Sequence, residues 1–141
     1  MKKIIIIVLI LATPLSCEFF NHLSSDKALT KKIEEKFISE KEIIDISQLN
    51  SFDWDELLII GPYSVVEKVE KELNLDLKNI KGNAIEYSDN INLFIFLKGR
   101  KPVKISEISR AIGDFSIERI IIKKSKVKFK KTEDKQFELL E

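Results

Sequence analysis

The sequence contains few of the residues with which small domains often form disulfide bridges, coordinate metal ions or bind phosphates. Its 141 residues include one cysteine, one histidine and four glycines. A lone cysteine excludes an intramolecular disulfide, so a hydrophobic core must stabilise the folded part. His22 has no second histidine with which to share a metal ion. The glycines form neither G-x-G-x-x-G nor G-x-x-x-x-G-K-[ST], and we therefore expect no cofactor.

Long hydrophobic runs are also missing. The longest one, Ile4 to Ala12, has nine residues, whereas a membrane-spanning helix needs about 20. Lys2 and Lys3 precede this run, and Thr13 and Pro14 end it. A positive start followed by a short apolar run is typical of a secretion signal.

The residues Pro14-Leu15-Ser16-Cys17 follow the apolar run. They resemble the lipobox of bacterial lipoproteins, in which a small residue precedes a cysteine. The resemblance implies that the chain is cut before Cys17 and that the Cys17 thiol carries a diacylglycerol. Pro14 departs from the family pattern, which usually has leucine or another aliphatic residue there. The alternative is that Cys17 merely ends an ordinary signal peptide.

These features predict three parts: a signal peptide (1–16), a tether (17–25) and one folded domain (26–141). Cleavage would leave 125 of the 141 residues, an ordinary size for one domain. Lys2 and Lys3 would leave with the signal, so the 24 basic residues fall to 22 against 23 acidic ones. An exported chain of near-zero charge is a poor match for nucleic acid.

Hydrophobic periodicity predicts two helices in the domain. Ser25 or Asp26 is expected to cap a helix that runs to about Lys41, with an apolar stripe of Leu29, Ile33 and Phe37. Ser64 and Glu67 fit a capping box at the start of a second helix. The stripe of that helix comprises Val65, Val66, Val69 and Leu73.

The other segments read as strands. Leu57 to Ile60 is a compact apolar run, which indicates a central strand covered on both faces. Period-two patterns predict further strands at 44–46, 84–87, 91–97, 103–108, 117–122, 126–130 and 136–140. Lys98-Gly99-Arg100 is expected to form a hairpin turn. The pattern predicts an α+β fold, with a mostly antiparallel sheet and two helices packed on one face.

Asp53-Trp54-Asp55 is a candidate site just before the central strand. Paired carboxylates can divide acid and base roles, and a tryptophan face can stack on a sugar. In an extended segment Asp53 and Asp55 would share one side while Trp54 points the other way. The simpler interpretation is that Trp54 and Phe52 anchor the strand in the core while the aspartates remain in water.

Gly61-Pro62-Tyr63-Ser64 links the central strand to the second helix. Backbone N–H groups at a helix start can receive an anion, which makes Tyr63 a candidate binding residue. In the simpler interpretation Ser64 is only a helix cap.

The strongest charge feature is the basic segment 119–131, which has seven cations and no acidic residue. Lys124, Lys126, Lys128 and Lys130 are its candidate binding residues. On a strand, the last three would share a face opposite Val127 and Phe129. That face would suit an anionic envelope component or the membrane surface. Alternatively, the lysines protect an exposed edge strand from aggregation.

F-D-W-D, four aliphatic residues and G-P-Y-S together resemble a motif of small predicted bacterial lipoproteins of unknown function. The resemblance implies a shared domain and assigns no catalytic residue. We therefore expect a non-catalytic binding module, lipid-anchored in the cell envelope outside the cytoplasm, for a protein or an envelope component. The first alternative is an inhibitor or immunity lipoprotein against a toxin or lytic enzyme. The second is an envelope hydrolase that uses Asp53 and Asp55.

Overall fold

The computed structural model describes residues 22–80 and 82–141. The predicted signal peptide and Cys17 lie outside this range. The described residues form two helices and eight strands: α1 (Lys27–Ser39), β1 (Ile43–Asp45), β2 (Glu56–Ile60), α2 (Val66–Leu73), β3 (Ile91–Lys98), β4 (Lys101–Ser109), β5 (Asp114–Phe115), β6 (Ile121–Lys123), β7 (Lys128–Lys131) and β8 (Gln136–Leu139).

The first sheet has the strand order β4-β3-β2-β6, and all its pairs are antiparallel. β2 lies between β3 and β6, with Leu58 opposite both Ile95 and Ile121. Its residues Leu57 to Ile60 are fully buried. The prediction of a central strand covered on both faces is therefore confirmed.

A tight hairpin joins β3 to β4, as the sequence predicts. Gly99 and Arg100 both have positive φ angles, 53° and 65°. Consecutive left-handed residues match the right-handed twist of the flanking strands. We call this end of the first sheet the turn end, and the opposite end, where β2 stops at Ile60 and β3 starts at Ile91, the far end.

The second sheet has the order β1-β7-β8-β5 and is smaller. β7 pairs antiparallel with both β1 and β8, while β5 pairs parallel with β8. Residues 132–135 join β7 to β8. Because β7 lies inside this sheet, Lys128 and Lys130 do not protect an edge, and for them that interpretation was wrong. The edge strand of the basic segment is β6, in the first sheet.

Two hydrophobic cores lie on opposite faces of the first sheet. One contains Leu57, Ile59 and Phe94 together with the apolar face of α1 and the second sheet. The other contains Leu58 and Ile95 together with α2 and the segment that follows it. The predicted α+β class with mostly antiparallel sheet is confirmed. The two helices, however, do not share one face of the first sheet. Successive residues of β2 and β3 are apolar, so both faces of the sheet are hydrophobic and each must be covered by another element.

Phenylalanines fill the centre of the first core. The Phe37 ring of α1 lies 4.6 Å from that of Phe137 and 5.3 Å from that of Phe115, both edge-to-face. Phe94 of the first sheet also lies 5.1 Å from Phe115. Edge-to-face rings add to the free energy gained by burying their area. This cluster joins α1 and both sheets into one core.

The first helix forms as its sequence predicts. Asp26 caps α1 by accepting a 3.0 Å hydrogen bond from the Leu29 N–H. Leu29, Ile33 and Phe37 are buried.

The second helix starts differently from its prediction. Its N-cap is Val65 rather than the expected Ser64, and Val65 makes no side-chain capping bond. Instead, the carboxylate of Glu86, twenty residues further along the chain, accepts a 2.9 Å hydrogen bond from the Val66 N–H. The predicted capping box was wrong because a group from another segment satisfies the first turn.

The strand predicted at 84–87 was also wrong, since these residues form a turn. The side chain of Asn83 accepts a 2.9 Å hydrogen bond from the Ile85 N–H and donates to the Ile80 carbonyl. Asparagine bonds of this kind compete with strand pairing. Ile85 is nevertheless buried in the second core.

Candidate functional site

Trp54 lies in the first core at the turn end. It is 2% exposed, and its ring lies 5.0 Å from that of Phe96. Its indole Nε1 donates a 2.7 Å hydrogen bond to the Leu49 carbonyl. Phe52 packs beside it, at a ring distance of 6.4 Å. The ring therefore has no free face for a sugar, and the position is that of a core anchor.

Asp53 and Asp55 lie on one side of the chain, where both face Lys98. The Lys98 ammonium is 3.1 Å from Asp53 and 3.9 Å from Asp55. Asp55 also accepts a 3.1 Å hydrogen bond from the Gly99 N–H. The two carboxylates thus hold the β3–β4 turn against the start of β2, which is a structural use of the pair.

A shallow groove of about 480 Å³ lies beside these residues. It is lined by Trp54, Asp55, Glu56, Gly99, Arg100, Lys123, Lys124 and Ser125. Lys124 lies with its ammonium 4.8 Å above the Trp54 ring and 2.9 Å from the Asn50 side chain. One oxygen each of Asp55 and Glu56 is buried without a hydrogen-bond partner in the described chain. The groove therefore places the cations Arg100, Lys123 and Lys124 beside the carboxylates of Asp55 and Glu56.

The predicted basic segment is not one continuous strand, because a 3-10 turn at Lys124–Lys126 divides it. Lys128 and Lys130 project from the outer face of the second sheet, and Lys126 lies in the turn before β7. Lys128 is 3.6 Å from Asp45. Burial raises the pKa of Asp45, but hydrogen bonds from the Ser47 hydroxyl and N–H, together with Lys128, outweigh it and leave that pKa below its usual value. Lys124, two residues before Lys126 in the same 3-10 turn, instead lies over the Trp54 ring.

The Gly61-to-Ser64 linker lies at the far end, where Tyr63 is exposed with a φ of 57°. The first N–H of the following helix is already bonded to the Glu86 carboxylate. A protein anion thus occupies the position at which the sequence suggested that an external anion would bind.

A second groove, of about 380 Å³, lies at the far end. Val65, Val66, Glu67, Asn83, Glu86 and Tyr87 line it. Val65 is 39% exposed and Tyr87 is 83% exposed, so two large apolar side chains meet solvent there. Sequence reasoning missed this groove, because Tyr87 was assigned to a strand and no local pattern links Glu86 to α2.

Two further observations concern residues 22–80 and 82–141. No helix in these ranges is long and apolar enough to cross a membrane. Nor do they contain three histidine, cysteine, aspartate or glutamate side chains placed to hold one metal ion.

No protein-family model matches the sequence, and searches of curated proteins and of solved structures find no match.

Proposed function

We propose that the protein is a bacterial cell-envelope lipoprotein, anchored through a diacylglycerol on Cys17, whose folded domain binds a partner without catalysis. The observation that carries the anchor is the order of the first 17 residues: two lysines, nine apolar residues and Leu15-Ser16-Cys17. A single acylated cysteine directly after such a signal would hold the domain outside the cytoplasm.

The non-catalytic part of the proposal is supported by the contacts of the two aspartates. A general acid and base must be free to reach a substrate. Asp53 and Asp55 instead bind Lys98 and the Gly99 N–H, and the Trp54 ring between them is buried.

The far-end groove is the surface we propose for the partner, which we take to be an envelope protein. Exposed tyrosines are enriched where proteins bind each other, because the ring contributes a large contact area and the hydroxyl a hydrogen bond. Tyr87 and Val65 offer such a surface. Among the described residues, Leu23 is bonded to the domain at the turn end, so an anchored domain would leave this groove accessible.

Metabolic labelling with palmitate tests the anchor. The wild-type protein should incorporate the label and remain in the membrane fraction, and Cys17→Ala should lose both properties. Labelling that survives Cys17→Ala would contradict the proposal.

A further inference from the structure

The chain enters the domain at a fixed point of the turn end. The Leu23 N–H donates a 2.8 Å hydrogen bond to the Asn79 carbonyl, and the Asn79 side chain donates to the Pro102 carbonyl at 3.2 Å. Ser25 forms a parallel bridge with Ile105. The last residues of the expected tether, 23–25, therefore lie against the edge of the first sheet.

This entry point limits the distance between domain and anchor. Five residues lie between Cys17 and Leu23, so the chain takes six residue-to-residue steps from one to the other. Even fully extended, they span at most about 20 Å. The eight residues of β3 add about 25 Å between the turn end and the far end. If Cys17 is lipidated, as proposed above, the turn end is the part of the domain held near the bilayer.

Three exposed cations surround the entry point: Lys78, Arg100 and Lys101. Lys78 is next to Asn79, and Lys101 is next to Pro102. Neither lysine has an ion pair in the described chain. Arg100 donates a 2.8 Å hydrogen bond to the carbonyl of Leu73. Leu73 is the last residue of α2, so this helix also ends at the turn end.

The carboxylates at this end offset these charges only in part. Asp53 and Asp55 share Lys98, at 3.1 and 3.9 Å, and Asp26 is paired with Lys104 at 2.6 Å. Asp76 is exposed and accepts a hydrogen bond from the Lys78 backbone N–H. The three cations thus exceed the two carboxylate charges that remain, one from the Asp53–Asp55 pair and one from Asp76.

We propose that Lys78, Arg100 and Lys101, which we call the turn-end surface, bind the anionic phospholipid headgroups of the membrane that holds Cys17. Both the short reach of the chain and the sign of the charge favour this partner. The contact orients the domain, so that the turn end faces the bilayer and the Val65–Tyr87 groove points away from it. The inference rests on the proposed anchor.

The test uses the mature lipidated protein, residues 17–141, reconstituted in vesicles of phosphatidylglycerol and phosphatidylcholine with a dansyl-labelled headgroup lipid. Trp54 is the only tryptophan and lies at the turn end, so energy transfer from it reports how close this end is to the headgroups. The variant is Lys78→Glu/Lys101→Glu. The matched control, Lys126→Glu/Lys130→Glu, changes charge equally at exposed lysines that have no ion pair in the described residues.

Each cation near an anionic surface strengthens the contact about fivefold, so removing two weakens it at least about 25-fold. Energy transfer should fall in Lys78→Glu/Lys101→Glu and in vesicles of phosphatidylcholine alone, but not in the control. The result that would overturn the proposal is equal energy transfer in the wild type and in Lys78→Glu/Lys101→Glu while both proteins still co-sediment with the vesicles. The turn-end surface would then not bind the headgroups. Loss of wild-type co-sedimentation at high salt would instead refute the anchor. Circular dichroism of each variant establishes that it is folded.

Discussion

The indole Nε1 of Trp54 donates its hydrogen to the carbonyl oxygen of Leu49, over a distance of 2.7 Å. Both residues are buried, so neither polar group can turn to water instead. This bond fixes the chain between Leu49 and β2 and sets the position of Asp55, which in turn holds the Gly99 N–H. Trp54 is thus a core anchor at the turn end, which was the simpler of its two interpretations in the sequence.

Replacing Trp54 with alanine should lower the free energy of unfolding by about 3 to 5 kcal/mol, because it leaves a cavity beside Phe52 and Phe96. Trp54→Phe should cost less, since it keeps a ring in the core but leaves the Leu49 carbonyl unpaired. Denaturant titration followed by circular dichroism measures both changes. A loss below about 1 kcal/mol for alanine would mean that the ring is not part of the core.

Gly113→Ala should destabilise the protein by at least about 2 kcal/mol. Gly113 has a φ of 144°, and an added Cβ would lie 2.5 Å from the Lys135 carbonyl oxygen and 2.6 Å from the Phe137 ring. Backbone cannot move aside as a surface side chain can.

Gly82 and Gly99 are matched controls for this substitution. An added Cβ at either position meets no atom within 4 Å. Gly82→Ala should change stability by less than about 0.5 kcal/mol, and Gly99→Ala by about 1 to 2 kcal/mol, from its positive φ alone. If Gly113→Ala cost no more than Gly99→Ala, the close approach of β8 to Gly113 would be contradicted.

The Asp26–Lys104 pair should make the free energy of unfolding depend on pH in the acidic range. The hydrogen bond from Lys104, and next that from the Leu29 N–H, lower the pKa of Asp26 below 3.8. Because the pKa of Asp26 is lower in the folded state than in the unfolded state, its charge stabilises the fold at pH values above the unfolded-state pKa. This stabilisation is lost as the pH falls through the folded-state pKa. Asp26→Asn keeps a helix-capping side chain but removes the charge.

Asp26→Asn should therefore be less stable than the wild type near pH 7, by no more than about 1 kcal/mol for a partly exposed pair. The difference should shrink as the pH falls below 3.8. Urea titrations of both proteins at several pH values measure it. A difference that stays constant with pH would show that the Asp26 charge does not stabilise the fold.

Tyr87→Ser tests the far-end groove. Because Tyr87 is exposed, the substitution should leave the unfolding midpoint nearly unchanged, yet weaken the capture of an envelope protein by the anchored domain. Ile38→Ser, on α1 and 67% exposed, is the control for loss of an exposed apolar side chain. Equal capture by the Tyr87→Ser variant and the wild type, measured by cross-linking in intact cells, would exclude this groove as the partner surface.

Patterns within one segment predicted the fold well. The α1 stripe, the doubly buried β2 and the Gly99-Arg100 turn each depend on neighbours in the sequence, so periodicity and turn chemistry identify them. The placement of α2 on the opposite face from α1 depends on which side of the first sheet the second sheet covers. No local pattern contains that information.

Contacts between distant segments account for the errors at the candidate sites. Glu86 replaces Ser64 as the group that satisfies the start of α2. Strands β1 and β8 flank β7, which removes the edge role of its lysines. Alternation did identify Lys128 and Lys130 as exposed and Phe129 as buried, but it did not reveal that Lys124 lies over Trp54.

The most direct test of the account is mass spectrometry of the amino-terminal peptide from protein extracted from bacterial membranes. The account predicts a chain that begins at Cys17 and carries the added mass of a diacylglycerol in thioether linkage, with fatty chains that survive removal of loosely bound lipid. An intact Met1, on protein recovered from the soluble cell interior, would contradict it.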